Sequence, residues 1–367
     1  MNVAIRTDAS MEIGTGHVMR CLTLAGALKA GGADVTFVCR EMPGNLCSWI
    51  EKKGFRVYRL TGISDGLSSA VPPAGTVHAD WLGADWETDS RQTIDALVSP
   101  GNGTDWLIVD HYALDRRWES SLRKIVKRIM VVDDLADRPH DADLLLDQNY
   151  YMNTAGRYER LVPEHCRLLT GPGFALLRDE FANAVSPGIE KDGCIRRIFV
   201  FFGGSDLTNE TGNVLQGLSL PGGRLNIETD VVIGPNNANR RTIEALASGM
   251  PCVRIHEGVE NMARLMALAD LAVGAGGITT WERCCVGLPA LVIFTAFNQF
   301  EAIRDLAAAG CIHLLGESGR VTPEKIRDTI EELTGHPERV LEMARKGKSL
   351  VDGLGTKRCL EAMLQSS

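Results

Sequence analysis

A glycine-containing turn between a first strand and a first helix constrains this 367-residue chain more than any other stretch. The apolar segment 3–7 is typical of a β-strand, and residues 21–29 carry apolar side chains at helical spacing. Between them, Gly14 and Gly16 allow a tight turn and leave backbone N–H groups uncovered, while the following helix presents its positive end. The sequence therefore predicts an anion-binding corner of an α/β fold, which we name the histidine corner (residues 8–20).

His17 follows the two glycines directly, and Arg20 lies about one helical turn later. Because an imidazole titrates near neutral pH, His17 in the first helical turn suits a general base or acid. The alternative is a structural histidine in an ordinary turn. Met19 stands where the third glycine of the dinucleotide fingerprint would fall, so the corner does not predict a nicotinamide site.

The length suits two domains, and the composition is that of an ordinary soluble globular protein. The net charge of −8 is spread along the sequence, which argues against nucleic acid or an anionic membrane as partner. No apolar run approaches the ~20 residues that cross a bilayer, so we expect a cytoplasmic protein. The ten cysteines include no Cys-x-x-Cys pair, so we expect neither zinc nor a disulfide framework. A monomer is compatible with the sequence, which does not fix the oligomeric state.

Polar side chains follow three apolar, strand-like runs in the first half of the chain, over residues 106–112, 129–134 and 143–149. They are Asp110, His111, Tyr112, Asp133, Asp134 and Asn149. Ligands of open α/β sheets bind beyond the carboxyl ends of the strands, so we expect these side chains to border the same site as His17. A helix cap or turn is the alternative for the aspartate pair, and a structural hydrogen bond is the alternative for the histidine.

The strand–helix alternation restarts after a linker-like segment at 185–195. A strand over 196–202 leads into a glycine-rich stretch, Gly203-Gly204-Ser205-Asp206. We name this stretch the first glycine turn. We expect an α/β protein with two doubly wound, Rossmann-like domains, residues 1–190 and 191–367, that face each other across a cleft. The last helix, near 356–365, is able to return to the first domain, and residues 61–80 are predicted to form a long surface loop.

The second half of the chain contains another glycine-rich stretch, which follows the strand-like run 271–275. We name it the second glycine turn (residues 274–282). Its backbone N–H groups and threonine hydroxyls suit a diphosphate, and Glu282 suits the two hydroxyls of a ribose. A capping box between Thr279 and Glu282 is the structural alternative, and both interpretations can hold together. The amides of Asn298 and Gln299, at the start of a later helix, suit a polar ligand.

Together these motifs resemble the UDP-2,4-diacetamido-2,4,6-trideoxy-β-L-altropyranose hydrolases of pseudaminic acid biosynthesis. The likeness runs from residue 1 to about residue 310. The matching stretches are Asp8 with 13–21, then 110–112, 133–134, 177–181, 202–206, 276–282 and 298–299. The outline is also similar to the GT-B glycosyltransferases, including the UDP-N-acetylglucosamine transferase of peptidoglycan lipid synthesis.

The resemblance implies hydrolysis of a UDP-linked diacetamido sugar to UDP and free sugar, by inverting water attack at the anomeric carbon, without metal or cofactor. It implies that His17 is the general base or positions the water, and that Asp8 orients His17 or the substrate; a turn-forming Asp8 is the alternative. The substrate-binding residues it suggests are Gly14, Gly16, Arg20, Tyr112 and Asn149. The nucleotide-binding residues it suggests are Gly203, Gly204, Ser205, Gly276, Gly277, Ile278, Thr279, Thr280, Glu282, Asn298 and Gln299.

One position departs from the family pattern, and two other functions are open. Ile278 stands where the family often has Ser or Thr, which places more weight on Thr279 and Thr280.

A GT-B glycosyltransferase would pass the sugar to an acceptor, although we find no apolar, basic run for a membrane acceptor. A nucleotide-sugar-binding protein without catalysis is the third hypothesis, in which His17 would be replaceable.

Overall fold

The computed structural model describes residues 1–61, 77–98, 103–154, 156–184, 191–220, 227–234 and 237–365. Most of the loop predicted over 61–80 and half of the predicted linker, residues 62–76 and 185–190, lie outside the described residues. The chain divides into two compact units. The first comprises Met1–Asn149, Asn153–Leu176 and Thr356–Ser367, and the second comprises Tyr150–Met152 and Leu177–Gly355.

Within the described residues, parallel strands alternate with helices through most of the chain. The strands are β1 (Asn2–Thr7), β2 (Asp34–Arg40), β3 (Arg56–Leu60), β4 (Thr104–Asp110), β5 (Val126–Val132), β6 (Leu144–Asp147), β7 (Arg167–Thr170), β8 (Arg197–Phe201), β9 (Glu228–Ile233), β10 (Val253–Glu257), β11 (Leu271–Ala275), β12 (Ala290–Phe294) and β13 (His313–Glu317). The helices are α1 (Gly16–Ala30), α2 (Cys47–Lys52), α3 (Trp86–Val98), α4 (Arg116–Leu122), α5 (Asp179–Asn183), α6 (Glu210–Ser219), α7 (Arg240–Ser248), α8 (Met262–Leu268), α9 (Ile278–Val286), α10 (Phe300–Ala308), α11 (Pro323–Thr334), α12 (Pro337–Leu350) and α13 (Gly355–Gln365).

The sheet of the first unit has the strand order β3-β2-β1-β4-β5-β6-β7, and every neighbouring pair is parallel. The order reverses between β1 and β4, which makes their carboxyl ends the topological switch point where ligands of such sheets bind. Thr7 at the end of β1 lies opposite Asp110 at the end of β4. The histidine corner therefore starts at the switch point.

The central strands β1, β4, β5 and β6 are largely buried on both faces, which explains their mainly apolar sequences. In β4, Trp106 and Ile108 join a core with α1 and α13, while Leu107 and Val109 join a core with α3 and α4 on the other face. The predicted α/β class with Rossmann-like strand–helix order is confirmed. No helix in the described part of the chain is long and apolar enough to cross a membrane.

The sheet of the second unit has the order β10-β9-β8-β11-β12-β13 and is also parallel. Its order reverses between β8 and β11, so both glycine turns follow the strands of a second switch point. The core beneath them includes Val200 of β8, Val273 of β11 and Ile326 of α11.

Some boundaries differ from the sequence prediction for identifiable reasons. The structure divides the units after Leu176, earlier than residue 190, because α5 packs on α8 and α9. Apolar spacing in the sequence predicts a helix over 115–127, but α4 ends at Leu122, because Val126 already pairs with Thr104 in the sheet. The last helix packs with the first unit.

A buried ion cluster joins β1, β2 and α3 in the first unit. The Asp89 carboxylate accepts hydrogen bonds from Arg6 at 2.7 Å, Arg40 at 2.7 Å and the Trp118 indole at 3.0 Å. Arg6 also donates to Asp8 at 2.6 Å, and these four charged side chains are completely buried. Each charge is compensated only while the whole cluster is intact.

Replacement of Asp89 by Asn should destabilise the protein by about 3–5 kcal/mol, because two buried guanidinium groups lose their shared carboxylate. The matched control is Glu87→Gln, which removes an exposed carboxylate from the same helix and should cost less than about 1 kcal/mol. Chemical denaturation of both variants measures the difference. Equal losses in the two variants would contradict the role assigned to the cluster.

Candidate functional site

The histidine corner is open to an approaching ligand. Gly14 has φ +76°, and its N–H donates to the Ser10 carbonyl at 2.9 Å. A Cβ atom added at Gly14 or Gly16 would meet no atom within 4 Å. Helix α1 begins at Gly16, and the side chain of its N-cap residue, Thr15, makes no capping hydrogen bond. The first turn of α1 therefore offers uncapped backbone N–H groups beside open space.

His17 lies in that first turn and faces a carboxylate. Its Nδ1 is buried and lies 3.4 Å from Oδ1 of Asp110, without a hydrogen bond of standard geometry. Arg20 donates two hydrogen bonds to the same carboxylate, from Nε to Oδ2 at 2.7 Å and from Nη2 to Oδ1 at 2.6 Å. Asp110 is thus fixed by Arg20 and presents one oxygen to the imidazole.

The electrostatics keep His17 neutral and Asp110 charged at neutral pH. Burial lowers the pKa of His17 below its usual 6.5, although Asp110 opposes the shift. Burial works against the Asp110 charge, but Arg20 and His17 outweigh it and the pKa of Asp110 is lowered. A carboxylate beside Nδ1 favours the proton on that nitrogen. The lone pair of Nε2 is then available to accept a proton from a ligand or a water molecule.

Tyr112 and Asp134 complete this cluster. The Tyr112 ring packs edge-on against the His17 ring, with centroids 4.5 Å apart. Its hydroxyl donates to Asp134 Oδ1 at 2.5 Å, and Arg20 Nη1 lies 3.2 Å from the other Asp134 oxygen. Tyr112 therefore orients the imidazole ring, and its hydroxyl, predicted to contact a sugar, is engaged with Asp134.

Asp8 occupies a different position from the one predicted. Its carboxylate accepts from Arg6 at 2.6 Å and from the Arg40 N–H at 2.7 Å, and its second oxygen lies 3.3 Å from His111 Nε2. His111 Nδ1 accepts from the Ala113 N–H, so Nε2 carries the ring proton that points to Asp8. The carboxylate that faces His17 is Asp110, and Asp8 belongs to the buried ion cluster.

Asp133 and Asn149, the remaining predicted residues at strand ends, make hydrogen bonds with neighbouring residues of the first unit. Asp133 accepts the Ala136 N–H at 2.9 Å and pairs with Arg138 at 2.8 Å, as the turn-forming alternative predicts. The N–H of Asn149 donates to Asp147, a carboxyl whose pKa is raised to about 7 by burial and by the nearby Asp134. Of the predicted aspartate pair, only Asp134 joins the His17 cluster.

The two glycine turns of the second unit differ in how the following helix is capped. The Asp206 carboxylate accepts the N–H groups of Glu210 and Thr211, and Asn209 Oδ1 accepts that of Gly212. The protein's own oxygens thus occupy the N-terminus of α6, behind Gly203, Gly204 and Ser205. Helix α9 begins at Ile278 after the N-cap Gly277, and no side-chain oxygen caps it. The capping box between Thr279 and Glu282, the structural alternative, is wrong, because the N-cap is Gly277, two residues before Thr279.

Several predicted nucleotide-binding residues meet at the second glycine turn. A Cβ added at Gly276 would lie 3.0 Å from Gln299 Oε1, so the Gln299 amide covers this glycine. Both Gln299 Oε1 and Asn298 Oδ1 are buried without a hydrogen-bond partner, which is unusual for amide oxygens. Thr279 is half-buried, whereas Thr280 is buried and its hydroxyl accepts from Arg283.

Glu282 is held by a residue that the sequence analysis left without a role. Arg178, which precedes α5, lies 3.4 Å from the Glu282 carboxylate and 2.5 Å from Glu180. Burial raises the pKa of Glu282, and Arg178 opposes that shift. Arg178 therefore fixes the carboxylate that we predicted would bind a ribose.

Comparison with known proteins identifies the class of the fold. Residues 198–354 match the family model of the glycosyltransferase family 28 C-terminal domain. The structure matches crystalline MurG of Acinetobacter baumannii with a TM-score of 0.67 and 14% sequence identity, over 99% of both chains. The structure therefore has a GT-B-like fold, and residues 198–354 are similar to a glycosyltransferase C-terminal domain.

Three proteins of different organisms are similar to this chain at 25–29% sequence identity. The chain is 27% identical to the UDP-2,4-diacetamido-2,4,6-trideoxy-beta-L-altropyranose hydrolase of Campylobacter jejuni, over 72% of this chain and 81% of that protein. It is 25% identical to an uncharacterized protein of Methanocaldococcus jannaschii over 83% of its own residues, and spans only 58% of that protein's length. It is 29% identical to the spore coat polysaccharide biosynthesis protein SpsG of Bacillus subtilis, over 56% of this chain and 60% of that protein.

The assigned His17 environment predicts a titration result that needs no substrate. The pKa of His17, followed by NMR of the ring Cε1–H, should lie below 6.5 and should fall further in Asp110→Asn, because the carboxylate raises it and Arg20 loses its counter-ion. The matched control is Asp105→Asn, at the opposite end of β4, which should leave His17 unchanged. A higher pKa in Asp110→Asn would contradict the assigned contact.

Proposed function

We propose that the protein hydrolyses a UDP-linked 2,4-diacetamido-2,4,6-trideoxy sugar to UDP and free sugar, with inversion at the anomeric carbon. The observation that carries this proposal is His17, neutral at pH 7, with Asp110 at one ring nitrogen and the other nitrogen available as a base. The similarity to the Campylobacter jejuni hydrolase supports the substrate class.

The first unit supplies the base in this mechanism. A water oxygen attacks the anomeric carbon while its proton passes to His17 Nε2, and the bond from that carbon to the diphosphate oxygen breaks with its electron pair. Asp110 stabilises the imidazolium that forms, and Arg20 holds Asp110 in place. We assign Gly14, Gly16 and Asn149 to substrate contact, and Arg20 and Tyr112 to positioning the carboxylate and the ring.

The second unit binds the leaving group. The uncapped N-terminus of α9 and the Thr279 hydroxyl bind the diphosphate and stabilise the charge that develops on it. Glu282 accepts hydrogen bonds from the ribose, while Asn298 and Gln299 provide the polar groups that lack partners. The reaction as proposed uses no metal and no cofactor.

Transfer of the sugar to an acceptor is the second candidate function. It is favoured by the match of residues 198–354 to a glycosyltransferase domain. The same base would then take a proton from an acceptor hydroxyl instead of from water.

The deciding experiment is an incubation with UDP-2,4-diacetamido-2,4,6-trideoxy-β-L-altropyranose in the presence of EDTA and without an acceptor. Hydrolysis predicts prompt UDP release and a free sugar that first appears as the inverted anomer, both followed by NMR. If UDP remains attached until an acceptor is added, transfer is the function.

Replacement of His17 by Gln should lower turnover by about 10²-fold or more, because the general base is lost. The dissociation constant of UDP should stay within about twofold of the wild type, since the nucleotide is assigned to other residues. The matched control is His165→Gln, an exposed histidine in the same unit, which should keep full turnover. Near-normal turnover of His17→Gln would remove the catalytic assignment.

The pH dependence has a defined sign. Protonated His17 cannot act as a base, and its pKa lies below 6.5, so kcat/KM should be level at neutral pH and fall as the pH drops through that pKa. A profile of initial rates from pH 4.5 to 8 tests this. An acidic limb centred above pH 6.5 would be inconsistent with a base of lowered pKa.

A further inference from the structure

A buried arginine lies beside the second glycine turn without a carboxylate. Arg283, on α9, is 2% exposed. Its Nη2 donates to the Ala275 carbonyl at 2.8 Å and to the Thr280 hydroxyl at 3.0 Å, and its Nε has no hydrogen-bond partner. Among the described residues, no carboxylate lies within ion-pair distance of this guanidinium. Such a group is costly to bury.

The other buried arginines show how unusual this is. Each of them has a carboxylate oxygen within 2.8 Å of its guanidinium. These arginines are Arg6, Arg20, Arg40 and Arg138. Burial lowers the pKa of Arg283 to about 10, so the group still carries its charge at pH 7. Among the described residues, the Arg283 guanidinium is thus a buried positive charge without an ion-pair partner, and the Glu282 carboxylate acts on it only from beyond ion-pair distance.

The location of that charge explains what it can act on. A Cβ atom added at Gly274 would lie 2.6 Å from Arg283 Nη1, so the guanidinium occupies the space beside the last residues of β11. Its two hydrogen-bond acceptors, Ala275 and Thr280, lie on either side of Gly276 and Gly277. The charge thus sits beneath the turn that leads to the uncapped N-terminus of α9, and the two positive potentials add.

We propose that Arg283 is a fixed internal counter-charge for the diphosphate of a nucleotide bound at the second glycine turn. It acts through its field and through the turn that it holds, without touching the ligand, and is a positioning residue. The inference rests on the proposed function only in that a diphosphate binds at this turn. The diphosphate supplies the negative charge that no carboxylate of the protein provides within ion-pair distance of Arg283.

Two consequences separate this role from a structural one. Neutral variants should bind diphosphates more weakly, and without ligand they should be at least as stable as the wild type, since an uncompensated buried charge is removed. A purely structural arginine would instead lower the melting temperature when replaced and would leave charge discrimination unchanged.

The test uses isothermal titration of the full chain with UDP, ADP, uridine and inorganic pyrophosphate. The variants are Arg283→Gln and Arg283→Met, which are neutral, and Arg283→Lys, which keeps the charge. We expect the neutral variants to bind UDP and pyrophosphate at least about 10-fold more weakly, with uridine affinity unchanged. Arg283→Lys should retain most of the UDP affinity. The exposed control Arg264→Gln should change neither affinity nor melting temperature.

The outcomes distinguish this inference from the proposed function. If the wild type binds UDP and Arg283→Gln leaves the ratio of UDP to uridine affinity unchanged, the inference is wrong and the proposed function stands. If pyrophosphate binding depends on Arg283 but UDP binds no better than ADP, the inference stands and a UDP-sugar substrate is contradicted. If the wild type binds neither UDP nor pyrophosphate, both are wrong.

Discussion

The Asp110 carboxylate is the group on which the site of the first unit depends. It ends a buried strand at the switch point, receives two hydrogen bonds from Arg20 and faces Nδ1 of His17. The carboxylate thereby connects the sheet to the first turn of α1, and it determines which imidazole nitrogen is available for chemistry. Asp134 and Tyr112 extend the same network on the far side of Arg20. The position of His17, the proposed base, is therefore set by the sheet to which Asp110 belongs.

The two helices that follow the glycine turns of the second unit differ at their N-termini, because side chains of the protein cap only one of them. The N–H groups of α6 are bonded to Asp206 and Asn209, whereas those of α9 have no side-chain cap. A glycine pattern in sequence cannot show this difference, because both turns contain the residues that an anion site requires. What distinguishes them is whether the protein supplies its own oxygens.

The sequence predicts the strand–helix order well, because β4 and β12 are buried on both faces and read as continuous apolar runs. It does not predict β7, in which one of four residues is buried. His17 is recognisable from the glycines that precede it. The carboxylate that faces His17, Asp110, is not recognisable from the sequence. It lies 90 residues after Arg20, and the strand order alone brings it to the first turn of α1. The sequence predicts that Asp8, close to His17 in the chain, orients this residue, but the carboxylate that faces the His17 ring is that of Asp110.

The return of α13 to the first unit has a consequence for how the chain folds. Cys359, Ala362 and Met363 belong to the same core as Ile5 and Phe37, so the N-terminal sheet lacks part of its hydrophobic interior until the last dozen residues are available. During synthesis on a ribosome, this core can be completed only after the whole second unit has emerged. The first unit is thus translated first and completed last, and a chain truncated before α13 would lose part of the core of the N-terminal sheet.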